Sequence, residues 1–356
     1  MSNPTATAPG AAVIGAPARA RRHPFLIAGA ILAASGALAL GMPGGLPVLA
    51  EDQPAPAPLV LAPDPGKAVS EATASLAARF GEGAEAVALQ LTAEGEPRPL
   101  ALGEAVRLPD GTTHLVRWAS QGALPILRRD IRPEEEAALI DALDRHLPAG
   151  STILAFPDVS RRLAAVIPAR FPLAEAAEPL AIPADWAGRA EAIAAQQAEL
   201  LGQPVSSRAP AGALTAFLEA LLAEDVHGAA RLRVLAGAGE AFVLIHLEDA
   251  FQIGQIGAHR PEMVRMPVGG ETFSHDLARG VRRTAEAGGH AAWALDRGPD
   301  GAVRAHFLHD RAETATLLAQ LLPFNTSRLG EVPGTRLVWQ SGGYWLYRIE
   351  QVAKAG

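Results

Sequence analysis

The sequence predicts an α/β domain, with a mixed sheet, flanking helices and a C-terminal antiparallel hairpin, preceded by an N-terminal membrane segment. Three observations carry that reading. Short apolar runs such as 151–156 and 241–246 alternate with stretches of helical periodicity, the pattern of strands covered by helices. Residues 336–350 read as two strands turning at Ser341-Gly342-Gly343. The first fifty residues run basic, then apolar, then small, with no acidic residue before Glu51.

That leader orders the chain in space. Arg19, Arg21 and Arg22 precede the apolar run 25–40, and basic residues tend to stay on the cytoplasmic side of a membrane. The run has 16 residues, near the lower limit for a spanning helix, and Pro43, Gly44, Gly45 and Pro47 break its continuation. Val48-x-Ala50 fits a small-residue cleavage site, so residues 24–50 serve either as a cleaved signal peptide or as an uncleaved inner-membrane anchor. Residues 1–23 are then a cytoplasmic basic region, and 51–66, rich in proline, a linker. A periplasmic α/β domain follows over 67–356.

Within that domain the elements follow in order. Val69, Ala72, Leu76 and Phe80 mark a helix over 69–80; 86–91 reads as a strand, and 112–118 as another that pairs with an earlier strand beyond Asp110-Gly111. Pro133 and three consecutive glutamates start a helix, since proline suits the first helical position and carboxylates suit the positive N-terminal end. A strand over 151–156 leads into a helix from Asp158 to about 166. Helices over 183–201, 211–224 and 227–235 precede the continuous apolar strand 241–246, as expected for a sheet covered on both faces. A helix over 272–288, strands over 291–296 and 303–308, and a helix over 311–322 lead to the final hairpin.

Composition removes whole classes of function. A hydrophobic content of 49% excludes general disorder. Beyond the leader, 28 basic residues face 38 acidic ones with no basic block, which argues against nucleic-acid binding. Cysteine is absent, so this chain makes no disulfide, no thiolate nucleophile, no covalent c-type haem attachment and no iron–sulfur ligation. No cofactor and no metal are expected. Histidines gather late, and His306, His309 and Asp310 at one strand end, with His246, Glu248 or Asp249 at another, could supply metal ligands; but His306 and His309 would point to opposite faces of one strand unless it ends between them, and there is no HExxH. Neither Ser160 nor Ser341 sits in a nucleophile elbow, and no catalytic residue is assigned.

Two places could still carry function. Asp158, Ser160, Arg161 and Arg162 lie where a strand turns into a helix, the position at which open α/β sheets bind ligands. The alternative is that Asp158 caps the helix and the arginines form a solvated first turn. Trp339, Tyr344, Trp345 and Tyr347 fall within nine residues of a chain with five Trp and two Tyr; they would form either a partner-contact surface or the packing of the hairpin.

Five blocks, in order, resemble a known family: LPAGSTILAFPDVSRRL (147–163), EPLAIPADW (178–186), FLEALLAEDVHGAARLRVLAGAGEAFVLIH (217–246), LLPF (321–324) and LVWQSGGYWLYRI (337–349). They are similar to the HaoB family, hydroxylamine-oxidation accessory proteins encoded with the octahaem hydroxylamine oxidoreductase of ammonia- and methane-oxidising bacteria. The likeness covers roughly 110–350 with the N-terminal segment. At Phe156-Pro157 the chain departs from an aromatic-aromatic-Asp pattern, while Asp158 and Arg161 remain. The resemblance implies a periplasmic, inner-membrane-tethered partner of hydroxylamine oxidoreductase or associated cytochromes, supporting assembly or electron transfer rather than catalysis. It transfers no catalytic residue. A periplasmic small-ligand binder or enzyme using the Asp158 turn is the alternative.

Overall fold

The computed structural model describes residues 59–351 except 65, 94–97, 100, 121–131, 181–183, 257–260, 269–274 and 299–300. The membrane segment assigned to 24–50 lies outside them. Among the described residues no helix is long and apolar enough to cross a membrane.

The first strand, β1 (Leu59–Pro63), lies inside the stretch expected to be linker. It pairs with β2 (Glu85–Ala93), which continues through β3 (Ala101–Arg107) to β4 (Thr113–Ser120) in an antiparallel meander. Helix α1 (Glu71–Ala77) starts at Ser70, whose side chain accepts from the Thr73 N–H. Buried Glu104 on β3 accepts in turn from the Ser70 N–H and from both hydroxyls. Burial raises its pKa, but those hydrogen bonds outweigh it and hold the carboxyl below its usual range. β3 escapes the sequence because Gly103 and Glu104 interrupt its apolar pattern.

α2 (Pro133–His146) has proline at its first turn, as predicted. β5 (Thr152–Leu154) and α3 (Pro157–Ala164) follow. Then come β6 (Glu178–Pro179), a 3-10 turn over Ala184–Arg189, α4 (Ala190–Leu201) and β7 (Val205–Ser206), with β6 and β7 pairing in parallel. α5 (Gly212–Leu222) and α6 (Asp225–Ala236) precede β8 (Ala241–His246), buried along its whole length. α7 (Leu247–Ile256), β9 (Met263–Pro267), α8 (His275–Ala287), β10 (Ala292–Arg297), β11 (Val303–Leu308) and α9 (Leu317–Leu321) lead to the hairpin β12 (Thr335–Ser341) and β13 (Tyr344–Ile349).

The mixed sheet has the order β12-β13-β8-β5, with β5 and β8 parallel and the hairpin antiparallel at the edge. The strands over 291–308 do not join it. They form a separate antiparallel sheet, β10-β11-β9. β10 and β11 are joined by a connection too short for a crossover, so they pair with each other first. On β11, Ala305 and Phe307 pack with Val281 and Ala285 of α8, while on the other face Leu308 joins the main core and Arg304 and His306 meet carboxylates. α7 follows β8 without any glycine or proline between them, which is why no boundary is visible in the sequence.

Tyr344, Trp345 and Tyr347 are buried and belong to the main core, so these three pack the hairpin rather than forming a contact surface. Trp339 is half-buried against the same core. A terminal hairpin beside β8 needs bulky side chains on both faces, and alternation puts Tyr344 on one and Trp345 with Tyr347 on the other. The Tyr347 hydroxyl donates to the Leu321 carbonyl at 2.8 Å.

Candidate functional site

β5 and β8 run parallel, so their C-terminal ends lie at the same edge of the mixed sheet, where ligands enter open α/β folds. Here that edge is filled by the chain's own side chains. Phe156 is the N-cap of α3 and Pro157 follows it, so Asp158 is a first-turn residue and not the cap. The Asp158 carboxylate accepts from Arg162 Nη1, one turn later, at 3.1 Å. Arg162 Nε donates to Glu136 of α2 at 2.5 Å. Arg162 is 3% exposed and Glu136 1%. Burial opposes the charge of Arg162, and the adjacent Glu136 outweighs it, keeping the guanidinium protonated.

Arg161 turns the other way. Its Nη1 donates to the Ala174 and Ala176 carbonyls, and its Nη2 pairs with Glu178. Glu178 also accepts from the Asp158 N–H at 3.0 Å and from Gln252 of α7 at 3.0 Å. Ser160 is fully buried and donates to the Ala155 carbonyl. Of the four residues chosen from the sequence, Asp158, Arg161 and Arg162 thus join an ionic cluster with Glu136 and Glu178, and Ser160 is bonded to the backbone beside it. Asp158, Ser160 and Arg162 are enclosed, so neither an open ligand turn nor a solvated first turn describes them. The cluster locks α3 to α2, to β6 and to α7.

A second polar group adjoins it. The Glu248 N–H donates to His246 Nδ1 at 3.0 Å, leaving the proton on Nε2, which faces Glu135 at 3.5 Å. Glu135 also accepts from Arg132 Nε at 2.8 Å and from the Gly343 N–H at 3.3 Å. Burial would raise the Glu135 pKa; His246 and Arg132 outweigh it and hold the carboxyl below its usual range. Glycine is required at the hairpin turn: a β-carbon at Gly343 would overlap the His246 ring, and one at Gly342 would overlap Glu135, where φ is also +56°. Two of the three first-turn glutamates of α2 are therefore buried ion-pair members, a role the sequence did not reveal.

Of the third cluster, the sequence pointed only to His306 and Glu248. Arg304 Nη2 bridges Glu248 at 2.8 Å and Asp296 at 2.7 Å. Arg265 pairs with Glu248 at 2.5 Å and lies 4.4 Å from the centre of the Phe251 ring. Buried His306 sits with Nε2 3.1 Å from Asp296 and 3.9 Å from Glu248. Burial raises the Asp296 pKa, yet His306 and Arg304 together hold it far below the usual range. Glu248, Asp296 and His306 offer three metal-type donors within 4.8 Å of one another. Two arginines already balance the two carboxylates, however, and Arg304 occupies the bridging position, so a cation there would have to displace it. β11 ends at Leu308, and His309 instead approaches His290, with ring centres 5.6 Å apart.

The family described as HaoA-associated protein HaoB matches residues 22–349. This chain belongs to that family. The resemblance read from five sequence blocks is thus confirmed over most of the chain. No curated protein matches. One solved structure, the C. jejuni pglb C-terminal domain, matches at 9% identity over 61% of this chain and 100% of that one. Its TM-score of 0.30 carries no argument about this fold.

Proposed function

We propose that this chain is a periplasmic, membrane-tethered accessory protein of hydroxylamine oxidation, and that it supports assembly of, or electron transfer from, hydroxylamine oxidoreductase. The observation that carries the reading is family membership over 22–349. The basic-apolar leader supports export, and the proline-rich stretch beyond it would keep the domain at high local concentration beside a membrane-associated partner. With no cysteine, the chain has no thiolate for covalent haem or for a cluster, which favours helping a redox partner over carrying electrons itself. Its buried charges serve the same reading, because they are spent on holding elements together. A small-ligand or catalytic role at Asp158 is disfavoured by the enclosure of Asp158, Ser160 and Arg162.

The test is co-purification of a tagged chain with hydroxylamine oxidoreductase from membranes, paired with a deletion strain. Recovery of the oxidoreductase and impaired hydroxylamine oxidation or enzyme maturation in the deletion are expected. A deletion that leaves both oxidation and maturation unchanged overturns the proposal.

A further inference from the structure

We infer that a groove beside the C-terminal hairpin binds a small oxyanion carrying more than one acidic group. The groove encloses about 410 Å³ and is lined by Arg233 of α6, Arg336 of β12, Arg348 of β13, and the carboxylates Glu240 and Glu350. Three guanidinium groups thus meet at one place in a chain whose acidic residues outnumber its basic ones.

Two features of this groove point to a bound anion. Arg336 and Arg348 stand directly opposite each other in the register of β12 and β13. Like charges in that relation destabilise an antiparallel pair unless an anion lies between them. Glu240 pairs with Arg348, but exposed Arg336 has no ion pair and no side-chain hydrogen bond among the described residues. The other feature is Arg233. Its Nη2 donates to the Gly237 and Gly239 carbonyls, whereas Nη1 is buried without an acceptor among the described residues. A buried donor left unmet costs free energy that an incoming acceptor recovers.

Guanidinium forks match the oxygens of carboxylates and phosphates, so these two groups share the recognising chemistry. The cavity is larger than one carboxylate needs, and Arg336 and Arg348 present separate forks. Glu240 and Glu350 in the wall repel extended polyanions, which restricts the occupant to a small molecule. The inference stands independently of the accessory role, since it concerns a different face of the domain from the three ionic clusters.

Full-length chain purified in detergent is titrated calorimetrically with citrate and, separately, with inorganic pyrophosphate, each against sodium chloride of matched ionic strength. Saturable binding of at least one is expected, and which one binds separates a carboxylate ligand from a phosphate ligand. Arg336→Gln should weaken that binding about tenfold. The same variant should leave the unliganded melting temperature unchanged or higher, because the cross-strand repulsion is gone. Glu240→Gln should tighten binding by releasing Arg348. No saturable response to either anion, full affinity in Arg336→Gln, or weaker binding in Glu240→Gln overturns the inference.

Discussion

The ionic cluster on α3 and the one on β11 answer the same problem, buried charge, in different ways. On α3 a single enclosed arginine, Arg162, stands between Glu136 and Asp158. Glu136 Oε2 and Arg162 Nη2 are left without hydrogen-bond partners among the described residues. On β11 the two carboxylates, Glu248 and Asp296, share two arginines and a histidine, so each keeps a partner if one is lost. The charged members of the α3 cluster all lie between 136 and 178, with only Gln252 reaching in from α7, and the β11 cluster gathers α7 and all three strands of the separate sheet. Redundancy, rather than burial alone, should therefore decide how much each cluster's arginine matters.

Replacing Arg162 by Met strands Glu136 and Asp158 in the core. A loss of about 3–5 kcal/mol is expected in urea denaturation. A loss near zero would remove the distinction between the clusters. Arg304→Met should cost less, about 2 kcal/mol, because Arg265 still holds Glu248 and His306 still faces Asp296. Equal losses in the two variants would show that redundancy plays no part.

Acid should separate the regions as well. His114 lies in the field of Arg162, and burial first, then that guanidinium, push its pKa down from 6.5 to about 4. The unfolded chain therefore takes up a proton at His114 before the folded one does. Stability from this group is present above pH 6.5 and is lost as pH falls towards about 4. His114→Asn should flatten that slope, and in Arg162→Met, if it remains folded, the imidazole should titrate higher by NMR. Asp296 is also depressed, from 3.8, so its contribution is lost only in stronger acid than His114's window. Unfolding followed against pH in His114→Asn and in Asp296→Asn checks both windows. The smallest effect belongs to the hairpin: Tyr347→Phe removes one hydrogen bond to Leu321 and should cost about 1 kcal/mol.

Legibility differed in the same way as the clusters. Asp158, Ser160, Arg161 and Arg162 could be singled out because a strand, a proline and a helix start lie side by side in the sequence. Their partners Glu136 and Glu178 could not, since first-turn glutamates look like ordinary complements to a helix dipole. Arg265, Asp296 and Arg304 gave no local signal at all; His306 and Glu248 drew notice together, but with His309, His246 and Asp249 as the other companions instead of Asp296. The aromatic group of the hairpin was visible as a group, but composition is the same for a contact surface and for a packed face.

By itself, the sequence determined the alternation of strands and helices, the antiparallel hairpin, the absence of thiol chemistry and the family. These depend on residue type and short-range periodicity, which the chain carries locally. Only the tertiary structure decided that the strands divide between separate sheets, that the promising turn is sealed by its own ion pairs, and that the arginines of β12 and β13 face one another across a groove. Each of those depends on which distant segments meet, and desolvation and charge pairing act on that meeting rather than on the neighbours in sequence.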